Sequence, residues 1–162
     1  HGGTIDVSSR PDEGSTFTVR IPFHVAERRF KKPAAEQPVK RNGSPAPSVL
    51  VIDDEMPIRE VLYRSLIAET SDIALASNAS ECEKLLEERS FDIIFLDYIL
   101  PEMNADRLLP VIKKLRPAAK VVVISGWNGS PVKKAAFMEK VDAWIDKPFS
   151  VETILATMTN LS

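Results

Sequence analysis

The sequence predicts an α/β protein in which a doubly wound, five-stranded parallel sheet follows an N-terminal β-hairpin and a flexible linker. Three observations lead there. After Ser48, five short apolar runs alternate with five segments whose apolar residues recur at helical spacing, the order that β-α-β units produce. The runs are apolar almost throughout, as strands covered on both faces are. Ahead of Ser48 the composition changes to proline, alanine and basic residues, which separates this body from what precedes it.

Residues 1–23 contain two alternating stretches, Thr4-Ile5-Asp6-Val7 and Ser15-Thr16-Phe17-Thr18-Val19-Arg20-Ile21, around the turn-rich Arg10-Pro11-Asp12-Glu13-Gly14. This is a hairpin, marginal on its own. Residues 24–48 place Arg28, Arg29, Lys31, Lys32, Lys40 and Arg41 among Pro33, Pro38, Pro45 and Pro47. Too little apolar surface is present there to offset the entropy of ordering, so a disordered linker is expected, its basic residues serving solubility. Residues 49–162 form the third part.

Its strands are expected at Val49-Leu50-Val51-Ile52, Ile73-Ala74-Leu75-Ala76, Ile93 to Leu96, Val121-Val122-Val123-Ile124 and Val141 to Ile145. The intervening segments carry apolar residues at helical spacing: Ile58, Val61, Leu62 and Leu66; Ala79, Cys82, Leu85 and Leu86; Leu108, Leu109, Ile112 and Leu115; Val132, Ala135 and Ala136; and Val151, Ile154, Leu155 and Met158. Pro57 and Pro131 suit first helical turns, and Ser130 and Ser150 suit N-caps. Pro110 conflicts with a third helix starting at Ala105, because proline has no N–H to donate beyond the first turn. That helix is expected to start late or bend.

The chain has 162 residues, 44% hydrophobic and 27% charged, with a formal net charge of -2. That composition suits one soluble domain with an appendage and exerts no overall pull toward nucleic acid or anionic lipid. One cysteine, Cys82, excludes an internal disulfide and fits the cytoplasm. At helical spacing it reads as a core thiol, and the methionines as packing residues. No apolar run approaches the ~20 residues of a membrane span. The chain opens on His1-Gly2-Gly3 without an initiator Met, so it is expected to be a piece of a longer protein, which itself can be membrane-associated.

The chemistry lies where the acids fall. Ligands of open α/β sheets bind at the carboxyl ends of the strands. The first strand ends in Asp53-Asp54, the third in Asp97, the fourth in Ser125-Gly126 and the fifth in Lys147-Pro148. Two like charges about 4 Å apart repel by about 4 kcal/mol at an effective dielectric near 20, so three clustered carboxylates need a proton or a cation. Oxygen ligands without His or Cys suit a hard ion such as Mg²⁺, which keeps several waters and uses few carboxylates. Taken singly, each acid is equally explained as a solvated strand end.

With VLVIDDE, IIFLDYILPEM, VVVISG and DKPF in this order and spacing, residues 49 to 162 resemble a response-regulator receiver domain. The resemblance implies a flavodoxin-like strand order 2-1-3-4-5. It also implies that Asp97 accepts a phosphoryl group from phosphohistidine, on a kinase or a histidine-phosphotransfer domain. Asp53, Asp54, Asp97 and the backbone carbonyl of Tyr98 would hold Mg²⁺, Lys147 would pair with phosphate, and Ser125 and Trp144 would form the switch. Three residues depart from the commonest pattern. Ala105 stands where glycine is usual, Trp144 where Tyr or Phe is usual, and Ile99, two residues after Asp97, has no polar group to orient a hydrolytic water. Trp127, two residues after Ser125, reads as a lid over the site or as a surface aromatic.

HGGTIDVSSRPDEGSTFTVRIPF is similar to the last two strands of the ATP-binding domain of sensor histidine kinases. Kinase end, linker and receiver in that order imply the carboxyl-terminal part of a hybrid histidine kinase, whose ATP-binding boxes and phosphorylated histidine would lie upstream of His1. Neither His1 nor His24 is expected to be that histidine. Two rival functions share the acids. A haloacid-dehalogenase-like phosphatase would have a second Asp where Ile99 stands. A phosphorylation-independent interaction module would not need Asp53, Asp54, Asp97, Ser125 and Lys147 together.

Overall fold

Alternation of side chains at the N-terminus sorts one hairpin into two unlike faces. Strand β1 (Thr4–Arg10) pairs antiparallel with β2 (Gly14–Arg20), setting Ile5 opposite Val19 and Val7 opposite Phe17. These four are all exposed, on one face. The other face is polar, with Asp6 opposite Thr18 and an Arg20–Asp6 ion pair. Gly14 enters β2 at φ +92°, a backbone conformation that side chains with a Cβ resist. The computed structural model describes residues 4–10, 14–20, 46–127 and 129–161. The hairpin lies in one unit, His1–Glu36, and everything that follows in another, Gln37–Ser162. His1, His24 and nearly all of the expected linker lie outside the described residues.

In the second unit the elements run β3 (Ser48–Ile52), α1 (Met56–Leu66), β4 (Asp72–Ala76), α2 (Ala79–Glu88), β5 (Ile93–Asp97), α3 (Ala105–Leu115), β6 (Lys120–Ser125), α4 (Pro131–Met138), β7 (Ala143–Asp146) and α5 (Val151–Leu161). All the strands are parallel, in the order β4-β3-β5-β6-β7, which is the expected 2-1-3-4-5 topology. Because side chains alternate along each strand, two cores form. Leu50, Ile52, Ile94, Leu96, Val121 and Val123 face Cys82, Leu86, Leu108 and Ile112. Val49, Val51, Phe95, Val122 and Ile124 face Leu62, Leu66, Ile154 and Met158. Among the described residues no helix is long and apolar enough to cross a membrane.

Three local expectations are corrected. α3 starts at Ala105 and carries Pro110 inside it. Asp106 and Pro110 are both exposed, so the carbonyl left without an N–H from Pro110 is on the side open to water. α4 does not bury Val132, Ala135 and Ala136; all three are exposed, and Phe137 is its buried residue. β7 begins at Ala143, two residues after the start of its apolar run. Of the two N-cap serines, Ser150 Oγ accepts the Thr153 N–H at 3.2 Å, whereas Ser130 sits at the cap position without a side-chain bond.

The late start of β7 has a reason. The Asp142 N–H donates to the Val121 carbonyl at 2.9 Å, and Asp142 Oδ2 accepts the Val121 N–H at 2.9 Å and Lys113 Nζ at 3.1 Å, while Oδ1 takes Lys120 Nζ at 3.1 Å. Burial on its own raises the Asp142 carboxyl, but the Val121 N–H and the two lysines outweigh it and leave it below its usual range. Its stabilisation is therefore present above the ordinary carboxylate range and lost as pH falls through the lowered value. Asp142→Ala should cost about 1–3 kcal/mol at pH 7, since it strands a backbone donor and a half-buried ammonium. Urea unfolding measures this, and a loss below about 0.5 kcal/mol, the range of ordinary surface changes, would contradict it.

Candidate functional site

Parallel register brings the polar strand ends to one edge of the sheet. Ile52 pairs with Leu96, Asp97 with Ile124 and Ser125 with Asp146, so Asp53, Asp97, Ser125 and Lys147 emerge together. Asp53, Asp97 and Ser125 are the buried polar residues among those described, at 1%, 6% and 1% exposure. Asp54, next in the chain, is exposed.

Lys147 joins the acids. Its Nζ lies 3.1 Å from Asp53 Oδ2, 3.2 Å from Asp97 Oδ1 and 3.6 Å from Glu55 Oε1. Asp53 is held on its other atoms too: Oδ1 accepts the Glu55 N–H at 2.8 Å, and its carbonyl accepts Arg59 Nη1. Oxygens of Asp53, Asp54 and Asp97 all lie within 4.8 Å of one another. This all-oxygen set, open to solvent at Asp54 and short of positive charge, fits a hard divalent ion that retains waters. The Tyr98 carbonyl accepts the Ala105 N–H at 2.9 Å, which leaves one of its two lone pairs for another partner. Ala105 is the first residue of α3 and needs no left-handed backbone there.

Electrostatics agree with the geometry. Burial chiefly pushes Asp97 up to about 6, with Asp53 and Asp54 adding to the rise against the pull of Lys147. Burial also raises Asp53, against the Glu55 N–H and Lys147. For Lys147, burial disfavours the ammonium, but Asp97 and Asp53 outweigh it and the net shift is upward, so the lysine stays charged.

Ser125 Oγ is buried and has no hydrogen-bond partner among the described residues. At Gly126 an added Cβ would meet nothing nearer than Lys147 Cβ at 4.0 Å, so the glycine is not needed for packing among these residues. Ile99 is 60% exposed. Trp127 is neither a simple lid nor a lone surface aromatic: it meets Tyr98 edge-on at 4.6 Å within a cluster that includes Phe137 and Trp144. A Cβ at Gly129 would lie 2.8 Å from its ring, which explains that glycine. Sequence reading missed Arg59, Glu55 and this cluster; nothing in the spacing of an arginine on an amphipathic helix marks a contact to a strand-end carbonyl.

Residues 49–159 match the response regulator receiver domain family, and the chain belongs to it. A response regulator protein from Burkholderia pseudomallei, solved with a phosphorylated aspartic acid, calcium ion and citrate, is 29% identical, covers 70% of this chain and 68% of its own, and superposes with a TM-score of 0.62. The DNA-binding transcriptional regulator NtrC of a Bradyrhizobium species is 32% identical over 68% of this chain and 23% of its own length. Sensor kinase CckA of Brucella abortus is 25% identical over 99% of this chain and 18% of its own. The chain thus spans under a quarter of these two relatives. Its function is that of a phosphorelay receiver, a class that binds a divalent metal at an acidic pocket and exchanges phosphate with histidine kinases or phosphotransfer proteins.

The raised Asp97 carboxyl predicts a pH dependence. Its folded value of about 6 exceeds the unfolded one, so the stability it contributes is present below about 4 and lost as pH rises through about 6. In chelator, this group should make the protein about 1 kcal/mol more stable at pH 5 than at pH 7, a difference missing from Asp97→Asn. Denaturant unfolding of both proteins at the two pH values reads it; identical pH dependence in parent and variant would refute the shift.

Proposed function

We propose that Asp97 is the phosphoacceptor and that Mg²⁺ is the ion held by Asp53, Asp54, Asp97 and the Tyr98 carbonyl. The observation that carries this reading is Lys147 Nζ standing within 3.2 Å of both Asp53 and Asp97 at the buried strand edge. An Asp97 oxygen attacks phosphorus of a phosphohistidine whose ring has taken a proton from solvent, the O–P bond forms as the P–N bond breaks, and the P–N electron pair leaves on neutral imidazole. Asp97 must be ionised, and a value near 6 leaves it so at neutral pH. Lys147, kept protonated, shifts from the free carboxylate toward the phosphoryl oxygens, and the unpaired Ser125 hydroxyl becomes their donor. The ion, when bound, neutralises charge spread over the transferring group.

We further propose that residues 1–23 end a kinase ATP-binding domain, that 24–48 link it, and that 49–162 are the receiver of a cytoplasmic or membrane-associated hybrid histidine kinase. The near-complete coverage of this chain by the match to CckA supports that order. The exposed apolar face of the hairpin is what strands separated from the rest of a sandwich would present.

Ser125 and Trp144 are proposed as the switch. Val123 pairs with Trp144, so Ser125, two residues on, shares that face of the sheet one step nearer the site. A hydroxyl drawn to the phosphoryl group leaves space that the indole enters.

Incubation with acetyl phosphate and Mg²⁺ should add one phosphoryl group by intact mass, lasting rather than turning over. Asp97→Asn should abolish it, and Asp54→Ala should raise the Mg²⁺ requirement roughly tenfold or more, since even 1.4 kcal/mol of lost attraction is tenfold. Full labelling of Asp97→Asn would refute the assignment. In a Trp127→Phe background, Trp144 is the sole tryptophan, and its emission should change with Mg²⁺ and beryllofluoride. Adding Ser125→Ala should blunt that change; unchanged emission in fully modified protein would sink the switch and leave the phosphoacceptor standing.

A further inference from the structure

One carboxylate oxygen holds Trp144 from outside the aromatic cluster. The indole Nε1–H donates to Asp146 Oδ1 at 2.8 Å, and the same oxygen is ion-paired with Lys134 Nζ. That ammonium stands 5.0 Å from the centre of the Trp144 ring, within cation–π range. Carboxylate, indole and ammonium thus form a closed triangle in which each member touches the other two.

The triangle ties a helix to a strand, because Lys134 lies on α4 and Trp144 and Asp146 on β7. Otherwise, among the described residues of α4, Phe137 is its buried residue and packs on Tyr98 and Trp144, while Val132 is 77% exposed. A phenyl ring at position 144 has no N–H to donate, and a phenol carries its donor at the far end of the ring. The bond to Asp146 therefore depends on indole.

We infer that Lys134 and Asp146 are positioning residues that hold Trp144 at the α4 edge and so set the balance of the Ser125–Trp144 switch. The inference rests on the switch proposed above. For the indole to follow the Ser125 hydroxyl inward, its N–H must leave Asp146 and its ring must leave Lys134. The triangle therefore favours the arrangement described over the inward one. If phosphorylation selects the inward state, reactivity toward a small donor falls with the fraction of molecules already there, and loosening the triangle raises that fraction.

The test uses the whole chain in a Trp127→Phe background. Asp146→Ala removes the acceptor; Lys134→Met removes the ammonium but keeps an unbranched chain; Asp146→Asn keeps an oxygen that accepts the indole N–H. Untreated Asp146→Ala and Lys134→Met should show Trp144 emission moved toward that of the beryllofluoride-treated parent. Both should also label from acetyl phosphate at least threefold faster, with Asp146→Asn between them and the parent. Unchanged emission in both variants, or slower labelling, would overturn the inference. Should Asp146→Ala not fold, Lys134→Met alone decides. A parent whose emission shifts with beryllofluoride but which never labels defeats the phosphotransfer reading while the triangle is still judged by emission; a parent that does not shift defeats the switch and the inference with it.

Discussion

The ammonium of Lys147 is what allows two carboxylates to sit buried at one sheet edge. Asp53 and Asp97 are each almost wholly removed from water, and an unpaired charge in that position is costly. Lys147 lies within hydrogen-bond distance of both. Burial first, and the Asp53 and Asp54 charges after it, hold Asp97 well above its ordinary range against the pull of Lys147. An edge short of one or two positive charges is suited to a divalent ion, and at about 6 Asp97 is still largely ionised at neutral pH.

The opposite edge of the sheet shows what a purely structural acid looks like. Asp142 is also partly buried, but it accepts a backbone N–H and two lysines, and its carboxyl falls instead of rising. Both acids lie at termini of a sheet whose faces are sealed by two cores, so polar groups are confined to the edges. At the amino edge the Asp142 carboxylate takes a backbone N–H and two ammonium groups. At the carboxyl edge Lys147 is shared between Asp53 and Asp97, and Ser125 Oγ has no partner among the described residues.

The strand order and most of the site were legible because they depend on short-range patterns: apolar runs ending in Asp53, Asp97 and Ser125, in register once the strands are parallel. What was not legible depends on partners distant in sequence. The start of β7 moved because Asp142 bonds Val121 and lysines from α3 and β6. The face of α4 was misread because three small or branched residues at helical spacing resemble a core stripe, while a single Phe137 packed on Tyr98 and Trp144 provides the buried contact. Pro110 was read as making α3 start late or bend, yet the helix starts at Ala105 and an exposed position on it tolerates the missing bond. Arg59 and Glu55 meet Asp53 through backbone atoms, which side-chain patterns do not encode.

The hairpin, by contrast, leaves Ile5, Val7, Phe17 and Val19 exposed on one face among the described residues. The central claim, however, concerns one carboxylate among three neighbours. Borohydride reduces an acyl phosphate on an aspartyl side chain to homoserine, so phosphorylated protein treated this way and mapped by peptide mass spectrometry reports the position directly. Homoserine at position 97 alone is the result predicted; homoserine at 53 or 54, or none in protein that carries phosphate, would contradict the account.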